Sequence, residues 1–439
     1  MNVISFEVEE LFGRKGTISI SLKDSATIVF GINGSGKTTV LKLLNSMLTG
    51  CLFEILNVSF KSLSLNLSNG KTIKATRVQS MKKRRQGTFP YAIKLELLDT
   101  NSNVVHSSNI NINKYIELSE RIPLNMIEHV IPELNRVNRR EWIDITTNNI
   151  LSFNSVLEKY SDQLPWAQPN IDIDWYRTLI EKLHVKFIQT QRLIIMKAEP
   201  NNYNHRSGLQ YQNAVIDRSG RLRTLIRDKL NESINLSQNL DSTYPRRLLL
   251  KTGKRLTDTQ LKQLLDETEC LGDKLRKVDL LTAGGNFDIR LESIGENNRQ
   301  AISLYLSDSA EKYQALEPFA DKLLLFLDII NRKFKPTKTV KVDGQTGIHI
   351  GLANGDELHP NLLSSGEQHE IVLLLDLIFF SSPGTLVLID EPEISLHIDW
   401  QREFLSDVEA IGKAAGLKFV LATHSPAIIG NRVDICQEI

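Results

Sequence analysis

The sequence predicts an α/β protein built on a parallel sheet. Three short, mostly β-branched or apolar runs support this class: Ala26–Phe30, residues 385–389 and residues 417–422. Unbroken apolar runs of this length are typical of strands that are buried on both faces. Each run ends in residues suited to phosphate or metal chemistry, and open parallel sheets bind ligands at that edge. The two ends of the chain are therefore expected to form one sheet.

The first run leads into a glycine-rich loop with the P-loop pattern. Residues 31–38 are Gly-Ile-Asn-Gly-Ser-Gly-Lys-Thr, and an apolar helical run follows from 39 to 48. Glycines let the backbone approach a phosphate, while the helix N-terminus supplies partial positive charge. Lys37 is expected to reach the β- and γ-phosphates, and Thr38 to ligate Mg²⁺. The predicted nucleotide contacts of this loop are Asn33, Gly34, Ser35, Gly36, Lys37, Thr38 and Thr39.

Two carboxylates and a histidine follow the other runs. Asp390 suits Mg²⁺, directly or through water. Glu391 suits orienting and deprotonating an attacking water. A lone histidine at a strand end is more often structural, but beside the other elements His424 is interpreted as the γ-phosphate sensor. Lys37, Glu391 and His424 are thus the predicted catalytic residues, with ATP and Mg²⁺ as cofactors.

A serine-rich motif precedes the second run. Leu363-Ser364-Ser365-Gly366-Glu367 resembles the signature motif of ABC-type ATPases, with Ser365 and Glu367 in place of the more usual Gly and Gln. A Glu at this place is the habit of the Rad50/SMC-like branch. The motif is expected to cap a helix from 367 to 380 and to form an anion site at its N-terminus. The predicted nucleotide contacts here are Ser364, Ser365, Gly366 and Glu367.

The resemblance implies a site that two chains share. In ABC folds the signature helix lies too far from its own phosphate loop to touch the same nucleotide, so it completes the site of a second subunit. Residues 393–397 resemble the D-loop, which crosses that interface. Gln191, with Gln189 as the alternative, is the candidate Q-loop glutamine that would contact nucleotide and metal. The predicted fold is an ABC-type P-loop ATPase head: a mixed or parallel core sheet, an antiparallel β subdomain and a helical or coiled-coil insertion.

Three segments are predicted along the chain. Residues 1–200 hold the P-loop, alternating runs joined at Asn69-Gly70 that predict a hairpin, and a helical segment. The pattern of residues 201–335 predicts the helical insertion, with an interruption around Tyr244-Pro245. The insertion is expected to end in a long helix that Pro318 kinks. Residues 336–439 hold the signature, the carboxylates and His424, and no appended nuclease is expected after them.

Composition narrows the classes of function. With 53 basic and 52 acidic side chains, nothing in the net charge demands nucleic acid or a membrane surface. Three scattered cysteines predict a reduced, cytoplasmic chain, and an N-terminus that contains glutamates is unlike a signal peptide. The most apolar stretch, residues 371–380, contains Asp376 and is about half the length of a membrane span, so no membrane is expected. Basic groups at 82–85 and 218–255 leave two interpretations open. They are solvated faces, or they dock an acidic protein or nucleic acid.

Motif order extends the resemblance. Residues 390–397 and 423–426 are similar to compact ATPases of the overcoming-lysogenization-defect and Rad50-like branch. Length and insertion size resemble the ATPase subunits (AriA) of PARIS-type anti-phage systems, with Septu ATPases as the second candidate. This resemblance implies a homo-oligomer of at least two chains. A hexamer is one of the larger assemblies that it allows. The oligomer would hold a separate TOPRIM-type effector nuclease and respond to a phage-encoded trigger protein, with nucleic acid not required.

Two other functions are compatible with parts of the sequence. A Rad50/RecF-like ATPase that clamps DNA across a head dimer is the alternative, which the signature and the basic runs favour. A transporter nucleotide-binding subunit is disfavoured, because the large helical insertion has no place in one.

Overall fold

The computed structural model describes residues 1–79, 91–110, 127, 131, 134–138, 141–145, 149–152, 156, 171–188, 194–197, 210–250, 256–281, 298–394 and 396–439. The chain divides into two compact units, residues 1–212 with 381–439, and residues 213–380. Residues 336–380, grouped by sequence with the C-terminal half of the site, thus belong to the same unit as the inserted helices.

The strands, in chain order, are β1 (Val3–Glu9), β2 (Thr17–Ser21), β3 (Ala26–Phe30), β4 (Ser62–Leu67), β5 (Thr72–Gln79), β6 (Tyr91–Leu98), β7 (Val104–Ile110), β8 (Leu134–Asn138), β9 (Glu141–Asp144), β10 (Asn149–Ser152), β11 (Val185–Ile188), β12 (Ile194–Lys197), β13 (Gln210–Asn213), β14 (Lys338–Asp343), β15 (Gly347–Leu352), β16 (Leu386–Asp390), β17 (Lys418–Thr423) and β18 (Cys436–Glu438). The α-helices are α1 (Lys37–Thr49), α2 (Leu52–Asn57), α3 (Asp174–Ile180), α4 (Ala214–Leu249), α5 (Asp258–Lys277), α6 (Arg299–Gln314), α7 (Glu317–Phe334), α8 (Ser365–Ile378), α9 (Ile398–Ala415) and α10 (Pro426–Ile429).

A parallel sheet forms the centre of the first unit, with strand order β11-β16-β17-β3-β18. The three strands predicted from apolar runs are neighbours in it, since Asp390 lies opposite Ala422 and Thr423 opposite Phe30. β16 is buried along its whole length, as expected for a strand covered on both faces. The sheet therefore brings the C-terminal ends of β16, β17 and β3 to one edge.

An antiparallel sheet accompanies it in the same unit, in the order β2-β1-β4-β5-β6-β7. The predicted hairpin between β4 and β5 is present: Gly70 has φ +77° and the Asn69 side chain accepts from the Lys71 amide at 3.1 Å. Helix α1 buries Leu41, Leu44 and Met47 in an apolar core that includes residues of both sheets. The predicted α/β class, with a parallel core sheet and an antiparallel part, is confirmed.

The second unit contains helices α4 to α8 and the hairpin β14–β15. α4 runs for 36 residues straight through Pro245, so the predicted interruption there is wrong. Pro318 lies in the first turn of α7, where its missing N–H has no partner to lose, so the predicted kink is also wrong. A fully buried ion pair between Lys333 and Glu370 joins α7 to α8.

Arginines of the predicted basic group on α4 take part in contacts inside this unit. Arg218 donates to Asp376 at 2.6 Å and to Asp217 at 2.8 Å. Arg247 holds Asp308 through two bonds of 2.7 Å. The guanidinium of Arg221 lies 4.2 Å from the centre of the Phe380 ring. These three arginines stabilise the unit, while the other basic run, 82–85, lies outside the described residues. In the described part of the chain, none of the helices has the length and hydrophobicity that crossing a bilayer requires.

Candidate active site

The glycine-rich loop joins β3 to α1 in a conformation that requires glycine. Gly34 and Gly36 have φ values of +82° and +111°, in the region that L-residues avoid. A Cβ on Gly36 would lie 2.9 Å from Leu11 Cδ2, and one on Gly31 would lie 2.5 Å from the carbonyl oxygen of Ile439. Space thus requires glycine at positions 31 and 36, and the backbone conformation requires it at positions 34 and 36.

Polar groups of this loop are arranged as an anion site. The buried ammonium of Lys37 donates to the carbonyls of Gly31 at 2.9 Å and Ile32 at 3.1 Å, which leaves a third N–H for another acceptor. The buried Ser35 hydroxyl has no hydrogen-bond partner among the described residues. α1 begins with no capping side chain and no acidic residue in its first turn. A phosphate would satisfy all of these groups.

The carboxylate of Asp390 meets the start of α1. Thr38 Oγ1 donates to Asp390 Oδ1 at 2.9 Å, across 352 residues of sequence. Burial raises the pKa of Asp390, the Thr38 bond opposes this, and the neighbouring charges of Glu391 and Glu393 raise it further. A desolvated carboxylate beside other carboxylates is stabilised by a cation.

The donor set fits magnesium. Mg²⁺ takes one or two protein carboxylates or hydroxyls and completes its shell with phosphate oxygens and water. Thr38 and Asp390 supply such a pair of oxygens. Across the described residues, no group of three or more His, Cys, Asp or Glu side chains is placed to hold a metal.

Glu391 leaves the sheet in a strained conformation. Its φ is +46°, which non-glycine residues rarely adopt, and its amide donates to the carbonyl of Ala422 at 2.8 Å. Backbone strain of this kind costs on the order of 1–3 kcal/mol and is common at functional sites. The left-handed conformation thus falls at the carboxylate that is predicted to activate water.

His424 is held by a residue that the sequence analysis did not single out. The ring nitrogen Nδ1 lies 2.9 Å from Oε1 of Glu393, and the ring is 45% exposed. Glu393 was visible only as part of the D-loop resemblance. No local pattern connects it to a histidine 31 residues later, because the contact depends on the pairing of β16 with β17.

The signature belongs to the second unit and is described there by itself. Ser364 is the N-cap of α8, which begins at Ser365 rather than at 367 and ends at Ile378 rather than at 380. Its hydroxyl accepts from the Glu367 amide at 3.4 Å and donates to the Glu367 carboxylate at 2.9 Å, while its own amide donates to that carboxylate. The predicted cap is thus present as a reciprocal capping box.

Lys338 adds a charge that the sequence analysis missed. Its ammonium lies 2.6 Å from Glu367 Oε1. Burial raises the pKa of Glu367, but the hydrogen bonds from Lys338 and Ser364 outweigh burial and hold that pKa below its usual value. Glu367 is therefore ionised at the terminus predicted to bind an anion, and Lys338 offsets its charge.

The structure brings together part of the predicted set. Lys37, Thr38, Asp390, Glu391 and His424 lie in the first unit at the ends of β3, β16 and β17. The candidate Q-loop residues Gln191 and Gln189 lie outside the described residues, as does Ser395 of the D-loop segment. The roles of all these residues stay predictions.

This fold and this site define a P-loop ATPase of the ABC type. The family model AAA_15, described as an AAA ATPase domain, matches residues 1–429. The chain belongs to this family.

Two curated relatives are similar over shorter stretches. The ABC transporter ATP-binding protein YtrE of Bacillus subtilis (strain 168) is 32% identical over 79 residues, which are 18% of this chain and 33% of the relative. The lipoprotein-releasing system ATP-binding protein LolD of Colwellia psychrerythraea is 29% identical over 85 residues, 19% of this chain and 31% of the relative. The chain thus spans about a third of the length of these relatives.

Solved SMC head domains are also similar to this chain. The Smc head of Pyrococcus furiosus with an extended coiled coil, bound to the C-terminal domain of ScpA, aligns at a TM-score of 0.33 and 10% identity, over 98% of this chain and 91% of that one. The SMC head domain of Thermotoga maritima aligns at 0.32 and 10%, with 98% and 91% covered. At such identity the likeness says nothing about function.

Substituting Gly36 tests the cradle. Gly36→Ala is expected to lower nucleotide affinity by about tenfold or more, because an alanine at this φ costs roughly 1–2 kcal/mol and its Cβ meets Leu11. Titration calorimetry with ATP measures the loss. Gly220→Ala is the control: it lies in α4 with no atom within 4 Å of an added Cβ, and should raise stability by about 0.5–1 kcal/mol without changing affinity. Parental affinity in Gly36→Ala would remove the case for a strained phosphate cradle.

Proposed function

We propose that this protein binds Mg·ATP and hydrolyses it at sites shared by two copies of the chain. The observation that carries the proposal is the hydrogen bond from Thr38 to Asp390, which joins the phosphate loop to the carboxylate edge of the sheet. With Lys37 on one side and Glu391 on the other, this bond gathers the groups that phosphoryl transfer to water needs.

Each residue has a proposed part in the reaction. Lys37 and the N-terminus of α1 bind the β- and γ-phosphates, and Thr38 with Asp390 would hold Mg²⁺, which neutralises phosphate charge when bound. Glu391 orients water for in-line attack on the γ-phosphorus and accepts its proton. His424 contacts the γ-phosphate and so distinguishes ATP from ADP.

A second copy is proposed as the occupant of the open side of this site. Ile32 in the phosphate loop is 82% exposed, and Ile394 and Ile398, which follow the catalytic carboxylates, are 47% and 48% exposed. Apolar side chains beside a polar site are typical of an interface core. Ser364 of the second copy would then meet the γ-phosphate, as the signature resemblance implies.

The finer proposal is that this ATPase is an oligomeric scaffold in anti-phage defence. Its support is that the chain length and the size of the helical insertion resemble those of stand-alone ATPase subunits of anti-phage systems. In this proposal the scaffold holds a separate TOPRIM-type nuclease, and a phage protein triggers its release or activation. The internal ion pairs of Arg218 and Arg247 remove part of the basic surface that a DNA clamp would use.

Nucleotide turnover tests the enzymatic part of the proposal. Lys37→Ala is expected to abolish ATP binding and hydrolysis, because no other cation is buried in the described loop. Phosphate release and equilibrium binding are the measurements. Lys229→Ala, on the surface of α4 beside Glu232, is the matched control and should keep parental activity. Full turnover in Lys37→Ala would exclude this site as the ATPase centre.

Co-expression tests the scaffold. The chain is expressed with the product of the adjacent gene and purified with and without ATP. Recovery of a nucleotide-dependent complex supports the scaffold, and an ATPase that purifies alone contradicts it. ATP-dependent DNA binding that weakens steeply with salt would instead support the clamp.

A further inference from the structure

Glu393 is a buried carboxylate to which the proposed reaction gives no part. It is 8% exposed and lies three residues beyond Asp390. Its Oε2 accepts from the Thr423 hydroxyl at 2.8 Å, and its Oε1 accepts from the His424 amide at 2.9 Å. A buried carboxylate is costly unless donors surround it. Here the donors come from the end of β17, where the proposed γ-phosphate sensor begins.

The same carboxylate sets the position of the sensor ring. His424 Nδ1 lies 2.9 Å from Oε1 of Glu393, which leaves Nε2 as the ring nitrogen directed away from the carboxylate. A ring that donates to phosphate through Nε2 must also present a proton to Glu393 at Nδ1, since two lone pairs facing each other would repel.

A second link joins the same two segments. Gln401, on α9, donates to the carbonyls of Glu393 at 3.4 Å and Leu396 at 3.1 Å, and accepts from the Ser425 hydroxyl at 2.7 Å. Gln401 therefore bridges the backbone around Glu393 to Ser425, and within the described part of the chain it makes no hydrogen bond to the His424 ring. It provides a natural control for the effect of Glu393 on that ring.

We propose that Glu393 is a positioning residue for His424: its carboxylate holds the His424 backbone amide and lies against Nδ1 of the ring, so that Nε2 is the nitrogen left to face the γ-phosphate. This inference rests on the proposed ATPase function. Because Glu393 precedes the exposed Ile394, the same contact ties recognition of the γ-phosphate to the segment proposed to meet a second copy.

The test separates positioning from folding. Glu393→Ala is expected to lower kcat for ATP by about 10- to 100-fold, the range for losing a hydrogen bond to a charged group, while ADP affinity changes by less than about twofold. Glu393→Asp should recover part of the rate, since it keeps the charge. Glu393→Gln keeps the shape and one acceptor oxygen but loses the charge and the second acceptor, so it serves if the alanine variant does not fold. Gln401→Ala should keep parental discrimination between ATP and ADP.

A double-variant cycle gives the decisive result. If Glu393 acts through His424, the double variant Glu393→Ala/His424→Ala should hydrolyse ATP no more slowly than the single variant His424→Ala. Losses that multiply, or equal losses of ATP and ADP binding in the folded Glu393 variants, would overturn the positioning role. Parental turnover in both His424→Ala and Lys37→Ala would instead contradict the proposed function. If His424→Ala hydrolyses ATP slowly while Glu393→Ala keeps parental turnover, the positioning role of Glu393 is contradicted and the proposed ATPase function is not.

Discussion

Glu391→Gln is expected to lower kcat for ATP hydrolysis by about 10²–10⁴-fold and to leave ATP affinity within a few-fold of the parent. Glutamine has nearly the same shape as glutamate but cannot accept a proton at neutral pH. The strained φ of +46° and the amide bond to Ala422 place the side chain, and both are properties of the backbone that glutamine retains. The substitution removes the proton acceptor and its charge but keeps the shape of the side chain, so the nucleotide-bound state should accumulate.

Single-turnover kinetics with stoichiometric ATP separate this chemical step from binding and release. Glu232→Gln, on the exposed surface of α4, makes the same chemical change away from the site and should keep parental kinetics. If Glu391→Gln hydrolyses ATP as fast as the parent, Glu391 does not activate water. If it loses ATP affinity as well, its charge acts on binding rather than on proton transfer.

Ser364→Arg is expected to abolish ATP turnover while the chain still folds. Losing the N-cap bond costs about 1 kcal/mol, and the rest of α8 is buried by apolar packing at Ile371, Leu375 and Ile378. The arginine side chain would occupy the space in which the capped terminus is proposed to meet the nucleotide of a second copy. Thermal unfolding and phosphate release, measured on one preparation, report the two effects separately.

Mixing variants tests whether the site is shared. Ser364→Arg mixed with Lys37→Ala should recover activity, because a mixed dimer pairs the intact loop of one chain with the intact signature of the other. At most one of its two sites can recover, since the other carries both changes. Ser242→Arg, on the exposed face of α4, controls for the added charge. Full turnover in Ser364→Arg alone would contradict the shared site.

Much of the first unit could be predicted because its signals are local. The runs that became β3, β16 and β17 are apolar throughout, and the glycines at 34 and 36 stand where the loop needs positive φ. The capping box at Ser364 and Glu367 likewise lies within four residues. Short-range rules of burial and backbone geometry suffice for features of this kind.

Errors arose where a local rule had two outcomes. Proline ends or kinks a helix in its interior, yet Pro318 lies in a first turn and Pro245 lies five residues before the C-terminal cap of a long helix. The sequence left two interpretations of the arginines on α4, a solvated helix face or a docking surface for an acidic partner. Which of them holds depends on the groups that lie next to each arginine in the fold. Asp376 and Asp308 face them, on other helices, and no sequence pattern places those carboxylates there.

The sequence by itself determined the α/β class, the phosphate loop, the carboxylates at the end of β16 and the serine cap of α8. Each depends on residues within a few positions of one another, so backbone geometry and the periodicity of burial are enough to specify it. The tertiary structure alone decided that Glu393 holds His424, that Lys338 offsets Glu367, and that Thr38 meets Asp390 at 2.9 Å. These contacts join residues 29 to 352 positions apart, and such pairs form only when strand order and helix packing bring their elements together.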